Sequence, residues 1–587
     1  MSLLTVKDLQ VHYPGNENAV VENLSFSIDK GECLGLVGES GSGKTQTALA
    51  IMGLLPMHAR IGGSVTLQQT ELLGANTTTL NKVRAQRIAM IFQDPQAALN
   101  PYVRIGSQLR RILLEHKICV PKEATQRVLA MLHRVGLPDP DRQYQVFPHQ
   151  LSGGMRQRVM IGAALLAAPD LLIADEPTTA LDVTVQAQIL TLLKTIRDET
   201  DAALLLITHD LGVVAGHCDR LLVMDSGRAV EAGGTTAMFA SPVSEKLQAL
   251  LAVAPRIDRD APPAQTGDDI VLNIKGLSVA YKERRLSGRK ELQAVYPTDI
   301  SLREGETLAI VGESGSGKTS LARALVGLIP TSGIVSFLGE QLAASVGART
   351  SHQHRNLQMI FQDPLASLNP AMRILDIVAE PVLVHGEDTD AKNVATAMLE
   401  RVGIGKDFLR RFPHELSGGQ AQRVAIARAL ILKPAILICD EAVAALDGTV
   451  QEEILQLLKA EQRASGVSIV FITHDLAVVR QLGHRIAVMY MGRLCELADN
   501  AALFSRPRHP YTKALLDAVP VPDPTIESTA HPLIGEVGSI LSPPSGCSFH
   551  PRCEQATAIC SSRLPEFQKV PTGTVACHRA DELDLSY

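Results

Sequence analysis

The sequence predicts an α/β fold that is present twice in one chain, each copy built around a largely parallel sheet. Four short sequences occur twice in the same order: GESGSGKT at 38 and 312, FQDP at 92 and 361, LSGG at 151 and 416, and ITHDL at 207 and 472. The offsets of 274, 269, 265 and 265 residues are nearly constant, which indicates a duplicated domain. Short aliphatic runs such as CLGLV and LLIAD alternate with helical patterns, as in parallel sheets covered by helices on both faces.

Length and charge narrow the class of protein. The 587 residues exceed what one hydrophobic core organises, and 56 basic against 62 acidic residues give a net charge of −6. That balance gives no electrostatic reason to expect nucleic acid as a partner. No apolar run approaches the roughly 18 residues of a spanning helix, and Lys7 and Asp8 stand where a signal peptide needs apolar residues. We therefore expect a cytosolic chain that forms no membrane pathway by itself.

Composition also suggests domain boundaries. The stretch APRIDRDAPPAQTGDD is rich in Pro, Ala and Asp, which is typical of a solvated linker, and Pro, Ser and Cys are frequent near the C-terminus. The predicted organisation is a first copy at 1–255, a linker at 256–270, a second copy at 271–505 and a C-terminal extension at 506–587.

The sequence GESGSGKT fits the phosphate-binding loop G-x-x-x-x-G-K-[ST] in both copies, between a strand and a helix. Lys44 and Lys318 are expected to reach the β- and γ-phosphates of ATP, and Thr45 and Thr319 to ligate Mg²⁺. The loop residues expected to surround the phosphates are Gly38, Ser40, Gly41 and Gly43 in the first copy and Gly312, Ser314, Gly315 and Gly317 in the second.

An acidic pair ends an aliphatic strand in each copy, as Asp175–Glu176 and Asp440–Glu441. Each pair follows its phosphate loop at a comparable distance, 137 and 128 residues after the first glycine. The aspartates suit Mg²⁺, directly or through water, and the glutamates are placed to polarise an attacking water. The spacing therefore predicts nucleotide hydrolysis in both copies.

The sequences LSGGMRQR and LSGGQAQR identify the family. Here the chain resembles the ATP-binding cassette (ABC) ATPases, whose signature is LSGGQ, over roughly 1–240 and 271–500. The resemblance implies nucleotide contacts at Ser152, Gly154, Ser417, Gly419 and Gln420. In that family the signature of one copy caps the ATP held by the other copy. Met155 replaces the usual glutamine, and we expect little loss from this change.

The same resemblance implies further site residues. Gln93 and Gln362 correspond to glutamines that contact Mg²⁺ and the lytic water, and His209 and His474 to histidines that contact the γ-phosphate. Asp182 and Asp447 lie in the family's ALD sequences, and Tyr13 and Tyr281 lie where the family stacks an aromatic ring on adenine. The implied fold is tandem P-loop ABC-type nucleotide-binding domains, each with a helical signature subdomain, plus a small cysteine-containing C-terminal extension.

The sequences RHPYTKALLDAVP, GCSFHPRC and VACH resemble the C-terminal extension of oligopeptide, dipeptide and nickel importer ATPases. Cys547, Cys553, Cys560 and Cys577 crowd into this extension. In a reducing compartment such a cluster favours a metal over disulfides. Four thiolates match the ligands of a 4Fe–4S cluster, which the resemblance also implies. The spacing lacks the C-x₂-C pairs that are typical of structural zinc. Zinc and four free thiols nevertheless remain alternatives.

The predicted function is an ATP-hydrolysing subunit that energises solute import, with ATP, Mg²⁺ and a 4Fe–4S cluster, or zinc as its alternative, as cofactors. The resemblance implies two integral-membrane permease subunits, an extracytoplasmic solute-binding protein that acts through them, and a peripheral position at the cytoplasmic face of the inner membrane. Peptides are the first expectation for the solute, with nickel chelates, opines and glutathione-like compounds also open. The alternative is a soluble tandem-cassette ATPase that acts on ribosomes, although that branch usually has a long, charged linker.

Overall fold

The computed structural model describes residues 2–15, 18–178, 181–258, 267–285, 288–386, 390–443, 446–526, 533, 535, 538, 540, 542–583 and 585. The chain divides into two compact units, the first of Met1–Ala254 with Pro520–Glu536 and the second of Pro255–Val519 with Val537–Tyr587. The predicted linker at 256–270 lies partly outside the described residues. The domain boundaries given above remain predictions.

The strands of the first unit form two sheets. They are β1 (Ser2–His12), β2 (Val21–Asp29), β3 (Cys33–Val37), β4 (Arg60–Leu67), β5 (Thr70–Glu71), β6 (Ile88–Ile91), β7 (Leu171–Asp175), β8 (Ala203–Thr208), β9 (Arg220–Asp225) and β10 (Arg228–Gly234). The larger sheet has the order β10-β9-β3-β8-β7-β6 and is parallel except for β10. The smaller sheet is antiparallel, with the order β2-β1-β4-β5.

The helices of the first unit lie between and after its strands. They are α1 (Lys44–Ile51), α2 (Thr77–Val83), α3 (Pro95–Ala98), α4 (Ile105–Glu115), α5 (Pro121–Arg134), α6 (Pro140–Gln145), α7 (Gly153–Leu165), α8 (Val183–Thr200), α9 (Leu211–His217), α10 (Thr235–Ala240) and α11 (Glu245–Val253). Helices α3 to α7 are consecutive, between β6 and β7, and form the helical part of the unit that carries LSGG.

The parallel strands of the larger sheet of the first unit are buried on both faces. Successive side chains of a strand point to opposite faces, and in β7 Leu172 and Ala174 belong to one hydrophobic cluster whereas Leu171 and Ile173 belong to another. The first cluster also contains buried residues of α4, α5, α7 and α8, and the second contains residues of α1 and the small antiparallel sheet. Burial on both faces explains why these strands are continuous aliphatic runs.

The second unit repeats these elements. Its strands are β11 (Ile270–Arg285), β12 (Gly288–Arg303), β13 (Thr307–Val311), β14 (Ser332–Phe337), β15 (Glu340–Gln341), β16 (Leu357–Ile360), β17 (Ile436–Asp440), β18 (Ser468–Ile472), β19 (Arg485–Tyr490), β20 (Arg493–Asp499), β21 (Gln568–Val570) and β22 (Gly573–Val575). Its helices are α12 (Lys318–Leu325), α13 (Ser351–Asn356), α14 (Pro364–Ser367), α15 (Ile374–Val384), α16 (Ala391–Arg401), α17 (Gly418–Leu430), α18 (Gly448–Ser465), α19 (Leu476–Leu482), α20 (Asn500–Ser505), α21 (Pro510–Asp517) and α22 (Ala558–Ser562).

The C-terminal region lengthens the larger sheet of the second unit. That sheet has the order β16-β17-β18-β13-β19-β20-β22-β21, so the last two strands come from the extension: β22 pairs with β20, and β21 pairs with β22. Residues Glu496 to Ala498 of β20 pair antiparallel with Gly573 to Val575 of β22. The extension therefore forms one continuous sheet with the second cassette.

The duplicated α/β fold is confirmed, with one addition. The sequence patterns predict the parallel strands, because those strands are short and uniformly apolar. They do not predict the separate antiparallel sheet, whose strands mix exposed and buried residues less regularly. Among the described residues, no helix has both the length and the apolar character that crossing a membrane requires.

Candidate active sites

Both GESGSGKT sequences form a loop between a buried strand and a helix. The loop leads from β3 into α1 and from β13 into α12. Gly43 and Gly317 precede these helices with φ of 97° and 99°, a region that favours glycine. A Cβ on Gly43 would lie 2.6 Å from the Val20 carbonyl oxygen, and one on Gly317 would lie 2.6 Å from that of Ala294. These positions therefore require glycine.

The two lysines are held inside their loops. Lys44 Nζ donates to the carbonyl oxygens of Gly38 at 2.7 Å and Glu39 at 2.8 Å. Lys318 Nζ donates in the same way to Gly312 at 2.6 Å and Glu313 at 3.0 Å. Both ammonium groups are buried, so each loop concentrates positive charge beside the open N-terminus of a helix.

A hydroxyl and a carboxylate meet at the position predicted for Mg²⁺. Thr45 Oγ1 donates to Asp175 Oδ1 at 3.3 Å, and Thr319 Oγ1 donates to Asp440 Oδ1 at 3.1 Å. The aspartates end β7 and β17, at the same sheet edge from which the phosphate loops emerge. Oxygen donors of this kind are the ligands that Mg²⁺ prefers, so the donor set fits the ion.

The buried aspartates favour a nearby cation. Burial raises the pKa of Asp175 to about 6; the Thr45 hydrogen bond opposes this shift, and the charge of Glu176 adds to it. Burial likewise raises the pKa of Asp440. A carboxylate that is costly to ionise in isolation gains most from a divalent cation, which supports a role of these groups in holding Mg²⁺ when ATP is bound.

Glu176 is held in a strained conformation at the centre of the first site. Its φ of 46° lies in the left-handed region, which few residues other than glycine adopt. Gln93 Nε2 donates to its Oε2 at 2.9 Å, and His209 Nδ1 lies 3.2 Å from its Oε1. These contacts bring three predicted residues together from β7 and the segments that follow β6 and β8. The hydrogen bond to Glu176 also raises the pKa of His209.

Glu441 repeats this arrangement in the second site. Its φ is 50°, Gln362 Nε2 donates to its Oε2 at 2.6 Å, and His474 Nδ1 lies 3.4 Å from its Oε1. Burial would raise the pKa of Glu441, but its hydrogen bonds with His474 and Gln362 and the positive charge near it together lower the pKa. A low pKa keeps the carboxylate ionised, as acceptance of a proton from water requires.

The arrangement can perform hydrolysis of a nucleoside triphosphate. Mg²⁺ would supply charge neutralisation at the phosphates. The lysine and the loop N–H groups would bind and orient the phosphates, and the glutamine and the glutamate would hold a water for attack on the γ-phosphate. Positioning and electrostatic stabilisation account for most of the catalysis in such a reaction.

The signature serines begin helices, as predicted. Ser152 Oγ accepts from the Met155 N–H at 3.2 Å at the start of α7, and Ser417 Oγ accepts from the Gln420 N–H at 3.3 Å at the start of α17. Gln420 Oε1 accepts in return from the Ser417 N–H at 3.0 Å, which completes a capping box. Met155 has no side-chain carbonyl for that second bond.

The two predicted adenine-stacking tyrosines lie beside the phosphate-loop helices. Tyr13 Oη donates to Gln46 Oε1 at 2.5 Å, and Tyr281 Oη lies 3.1 Å from Ser320 Oγ. Gln46 and Ser320 occupy equivalent positions on α1 and α12, directly after the two threonines. The stacking role itself remains a prediction. Asp182 and Asp447 immediately precede α8 and α18.

The four predicted cysteines of the extension lie near one another. Cys553 interacts electrostatically with Cys547, Cys560 and Cys577, and burial raises the pKa of Cys553 and Cys577 to about 11. Within the ranges that the structure describes, no group of three or more His, Cys, Asp or Glu side chains is placed to hold a metal ion. Neither the structure nor the comparisons below contain support for an iron–sulfur cluster or zinc.

Sequence reasoning missed the second residue of each phosphate loop. Glu39 is paired with Lys246, and Glu313 is paired with Arg552 of the C-terminal region. The available signal was the sequence GCSFHPRC, which identifies the extension and contains Arg552. A motif match alone does not say what an arginine contacts.

Comparison with protein families identifies the two units and the C-terminal region. The ABC transporter family matches residues 21–179 and 296–444. The C-terminal region of the oligopeptide/dipeptide transporter family matches residues 495–560. These matches confirm the duplicated cassettes and the class of the extension.

Similar proteins span nearly the whole chain. A glutathione import ATP-binding protein of Pectobacterium atrosepticum is 41% identical over 567 residues, which cover 89% of this chain and 90% of that protein. Its counterpart in Escherichia coli is 40% identical over 600 residues and covers 95% of each chain. Among solved structures, a dimeric bacterial ABC transporter cassette is 28% identical, with a TM-score of 0.36, and covers 39% of this chain and 98% of that chain.

The alternative of a ribosome-acting ATPase is not favoured by these relatives, because they are import proteins. ATP binding and Mg²⁺ are typical of the cassettes that match. The chain belongs to the ABC transporter family, as an import ATPase in which two cassettes share one polypeptide with the C-terminal region of the oligopeptide/dipeptide class.

Proposed function

We propose that this chain hydrolyses ATP at both cassettes to energise the import of glutathione or another short peptide. The observation that carries the proposal is the repetition of a full set of site residues in each unit. In both, a buried loop lysine, a Thr–Asp pair and a glutamate held by glutamine and histidine lie at one sheet edge. Since no catalytic group is missing from either set, both sites are competent.

The solute is inferred from the relatives. The similar proteins are named for glutathione import, and the extension matches the oligopeptide/dipeptide class. Glutathione is itself a short peptide, so both comparisons point to one chemical class. The test is competition during uptake in cells that contain the whole transporter. Excess unlabelled glutathione should suppress uptake of labelled glutathione, and excess nickel chelate should not. Suppression by the nickel chelate alone would contradict a peptide solute.

The partners are two integral-membrane permeases and, through them, an extracytoplasmic solute-binding protein. The chain then acts peripherally at the cytoplasmic face of the inner membrane, where ATP is available. Support comes from the import function of the relatives. A tagged chain purified from detergent-solubilised membranes should retain two permeases. Recovery of ribosomal proteins in their place would contradict this assignment.

The residue roles follow from the chemistry of the groups. Asp175 and Asp440 hold Mg²⁺ with Thr45 and Thr319, and Glu176 and Glu441 accept the proton of the attacking water. The remaining predicted site residues bind the nucleotide or orient these groups. They are the other residues of the phosphate loops and signature sequences, together with the predicted glutamines, histidines and tyrosines. The contacts of Gln93 and Gln362 with the two glutamates support this division of roles.

We propose a 4Fe–4S cluster at Cys547, Cys553, Cys560 and Cys577, with zinc as the alternative. The proposal rests on the sequence, in which four thiols, the donor set of such a cluster, crowd into one short extension. A zinc ion needs all its ligands on one atom at about 2.3 Å, whereas a four-iron cluster gives each thiolate its own iron. The two alternatives therefore differ in composition, because a cluster brings iron and sulfide and a zinc site brings a single zinc ion.

Metal analysis tests the cysteine centre directly. Protein purified without oxygen should contain iron and sulfide, and Cys553→Ser should lose both while nucleotide binding at Lys44 persists. Cys119→Ser is the matched control, because Cys119 lies in the first unit, outside the extension. One equivalent of zinc without iron would establish the alternative, and anaerobic protein free of both metals would contradict a metal centre.

A further inference from the structure

The C-terminal region holds the second phosphate loop through Glu313. Arg552 Nη1 donates to Glu313 Oε2 at 2.7 Å, and Arg552 Nη2 donates to Glu313 Oε1 at 3.0 Å. The side chains of Arg552 and Glu313 are only 4% and 1% exposed. This bidentate geometry fixes the orientation as well as the position of both groups. The loop is therefore tied to a residue 239 positions away in sequence.

A second contact fixes the backbone at the same place. The Glu313 N–H donates to Tyr511 Oη at 2.9 Å. The Tyr511 ring lies 4.7 Å from that of Tyr490 and 5.3 Å from that of Phe549, which is three residues before Arg552. Tyr490, Tyr511 and Phe549 therefore pack together as one buried aromatic cluster. Glu313 is held by both its amide and its carboxylate.

The carbonyl of Glu313 completes a short path to the nucleotide-binding lysine, since it accepts from Lys318 Nζ at 3.0 Å. On the other side, Arg552 ends a 3₁₀ turn (His550–Arg552) and is followed directly by Cys553. The path from a cysteine of the proposed metal centre to Lys318 therefore consists of one peptide bond, one buried ion pair and one hydrogen bond.

The first cassette holds the equivalent glutamate differently. Glu39 pairs with Lys246 at 2.7 Å, and these side chains are 35% and 19% exposed. Lys246 lies on α11 of the same cassette, and Tyr511 lies 265 positions later on α21, at the offset that separates the two signature sequences. The second cassette therefore has a tyrosine where the first has its lysine, and the extension supplies the positive charge through Arg552.

We propose that Arg552 is a positioning residue of the second ATP site, which couples nucleotide binding at Lys318 to the conformation of the cysteine-bearing turn. The coupling is reciprocal, because two linked sites change each other's equilibrium by the same factor. Among the described residues, Glu39 forms its ion pair within the first cassette, so the two sites respond differently to changes in the C-terminal region. The inference rests on ATP binding at the two loops, and it holds for any solute.

The test compares the two sites in the full-length protein. Lys44→Ala leaves only the second site able to bind nucleotide, and Lys318→Ala leaves only the first. The buried pair is replaced by Glu313→Met with Arg552→Met, because removing both partners avoids an uncompensated buried charge. The matched control is Glu39→Met with Lys246→Met in the first cassette. The probe is a fluorescent mant-ATP with Mg²⁺, and the measurement is its Kd.

Replacing the buried pair should weaken mant-ATP binding about tenfold in the Lys44→Ala parent, within the usual range of coupling between sites. It should change the Kd less than about twofold in the Lys318→Ala parent. The control pair should cost the first site less than about threefold, since half-exposed ion pairs contribute little. An unchanged Kd at the second site, or an equal loss at both sites, would overturn the proposal.

Hydrogen exchange supplies the readout that a merely structural role would not change. Saturating mant-ATP should slow amide exchange over residues 547–560 in the Lys44→Ala parent, and the methionine pair should abolish that slowing. Persistence of the slowing in the variant would also overturn the proposal.

A second variant covers the case in which the methionine pair fails to fold. Arg552→Lys keeps the charge but not the bidentate geometry, and an unchanged second-site Kd in this variant would contradict the coupling. If neither parent binds mant-ATP, the ATP sites themselves are wrongly assigned and the coupling fails with them.

Discussion

Glu176 and Glu441 each combine a left-handed backbone with two side-chain contacts from separate segments. Holding a non-glycine residue in this region costs on the order of 1 kcal/mol or more, which the surrounding structure must offset. The same deviation occurs in both cassettes, at the residue that directly follows Asp175 or Asp440. The strained backbone therefore belongs to the site geometry, as it aims the carboxylate at the glutamine and the histidine.

At the residue scale, we predict that Glu176→Gln together with Glu441→Gln preserves ATP binding and blocks hydrolysis. The amide keeps the size of the side chain but accepts no proton from water, so the rate should fall by about 10²–10⁴-fold. The measurement is phosphate release by the purified protein, with binding of mant-ATP measured in parallel. Glu22→Gln is the control, because Glu22 pairs with Arg228 on an exposed surface. A double variant that hydrolyses ATP as fast as this control would show that the glutamates are not the base.

Most of the site could be predicted at this scale, because each predicted residue stands in a motif that occurs twice. The lysine–loop, threonine–aspartate and glutamate–glutamine contacts all join residues that the sequence already indicated. The pair of Glu313 with Arg552 could not be predicted, since it joins residues 239 positions apart and only the fold brings them together. The same holds for Glu39 and Lys246, because Lys246 lies outside the repeated motifs and only the fold brings it to the loop.

At the element scale, α21 links the second cassette to its extension, and it begins at a buried histidine. His509 Nδ1 accepts from the Tyr511 N–H at 3.0 Å and so caps the helix. Burial lowers the pKa of His509 to about 4. In the unfolded chain the same group titrates near its ordinary value of about 6.5. The unfolded state therefore binds a proton between these two values, and the folded state does not.

The stability of the second unit should accordingly fall as the pH drops from about 6.5 to about 4, by up to roughly 3 kcal/mol from this group. We predict that His509→Asn, which retains a capping side chain, loses less melting temperature between pH 7 and pH 5 than the wild type. Differential scanning fluorimetry measures the difference. His352→Asn on the exposed face of α13 should leave the pH slope unchanged. Equal slopes for wild type and His509→Asn would contradict this assignment.

The parallel strands are the elements that the sequence predicts best. Each is a short aliphatic run buried on both faces, so its composition is unambiguous. The strands β21 and β22 of the extension are only three residues long and carry no such pattern; β22 is defined by its pairing with β20, and β21 by its pairing with β22. Sequence reasoning found the extension through its motifs and cysteines, but it did not predict that this region adds strands to the cassette sheet.

At the scale of the whole molecule, duplication explains why a sequence alone indicates the function so specifically. One phosphate loop or one acidic pair is a weak signal, whereas two ordered sets at nearly constant offsets exclude coincidence. Divergence between the copies is equally informative. The loop glutamate has a lysine partner within the first cassette and an arginine partner from the extension in the second, so the two ATP sites are not equivalent.

The central claim is that ATP hydrolysis by this chain drives solute import. The most direct measurement is uptake of labelled glutathione and labelled di- and tripeptides by cells in which the gene has been deleted and then replaced. We predict that the wild-type chain restores uptake of at least one of these solutes, and that Glu176→Gln with Glu441→Gln, produced at equal abundance, restores none. The claim would be contradicted if the hydrolysis-deficient chain restored as much uptake as the wild type. It would also be contradicted if deleting the gene changed the uptake of none of these solutes.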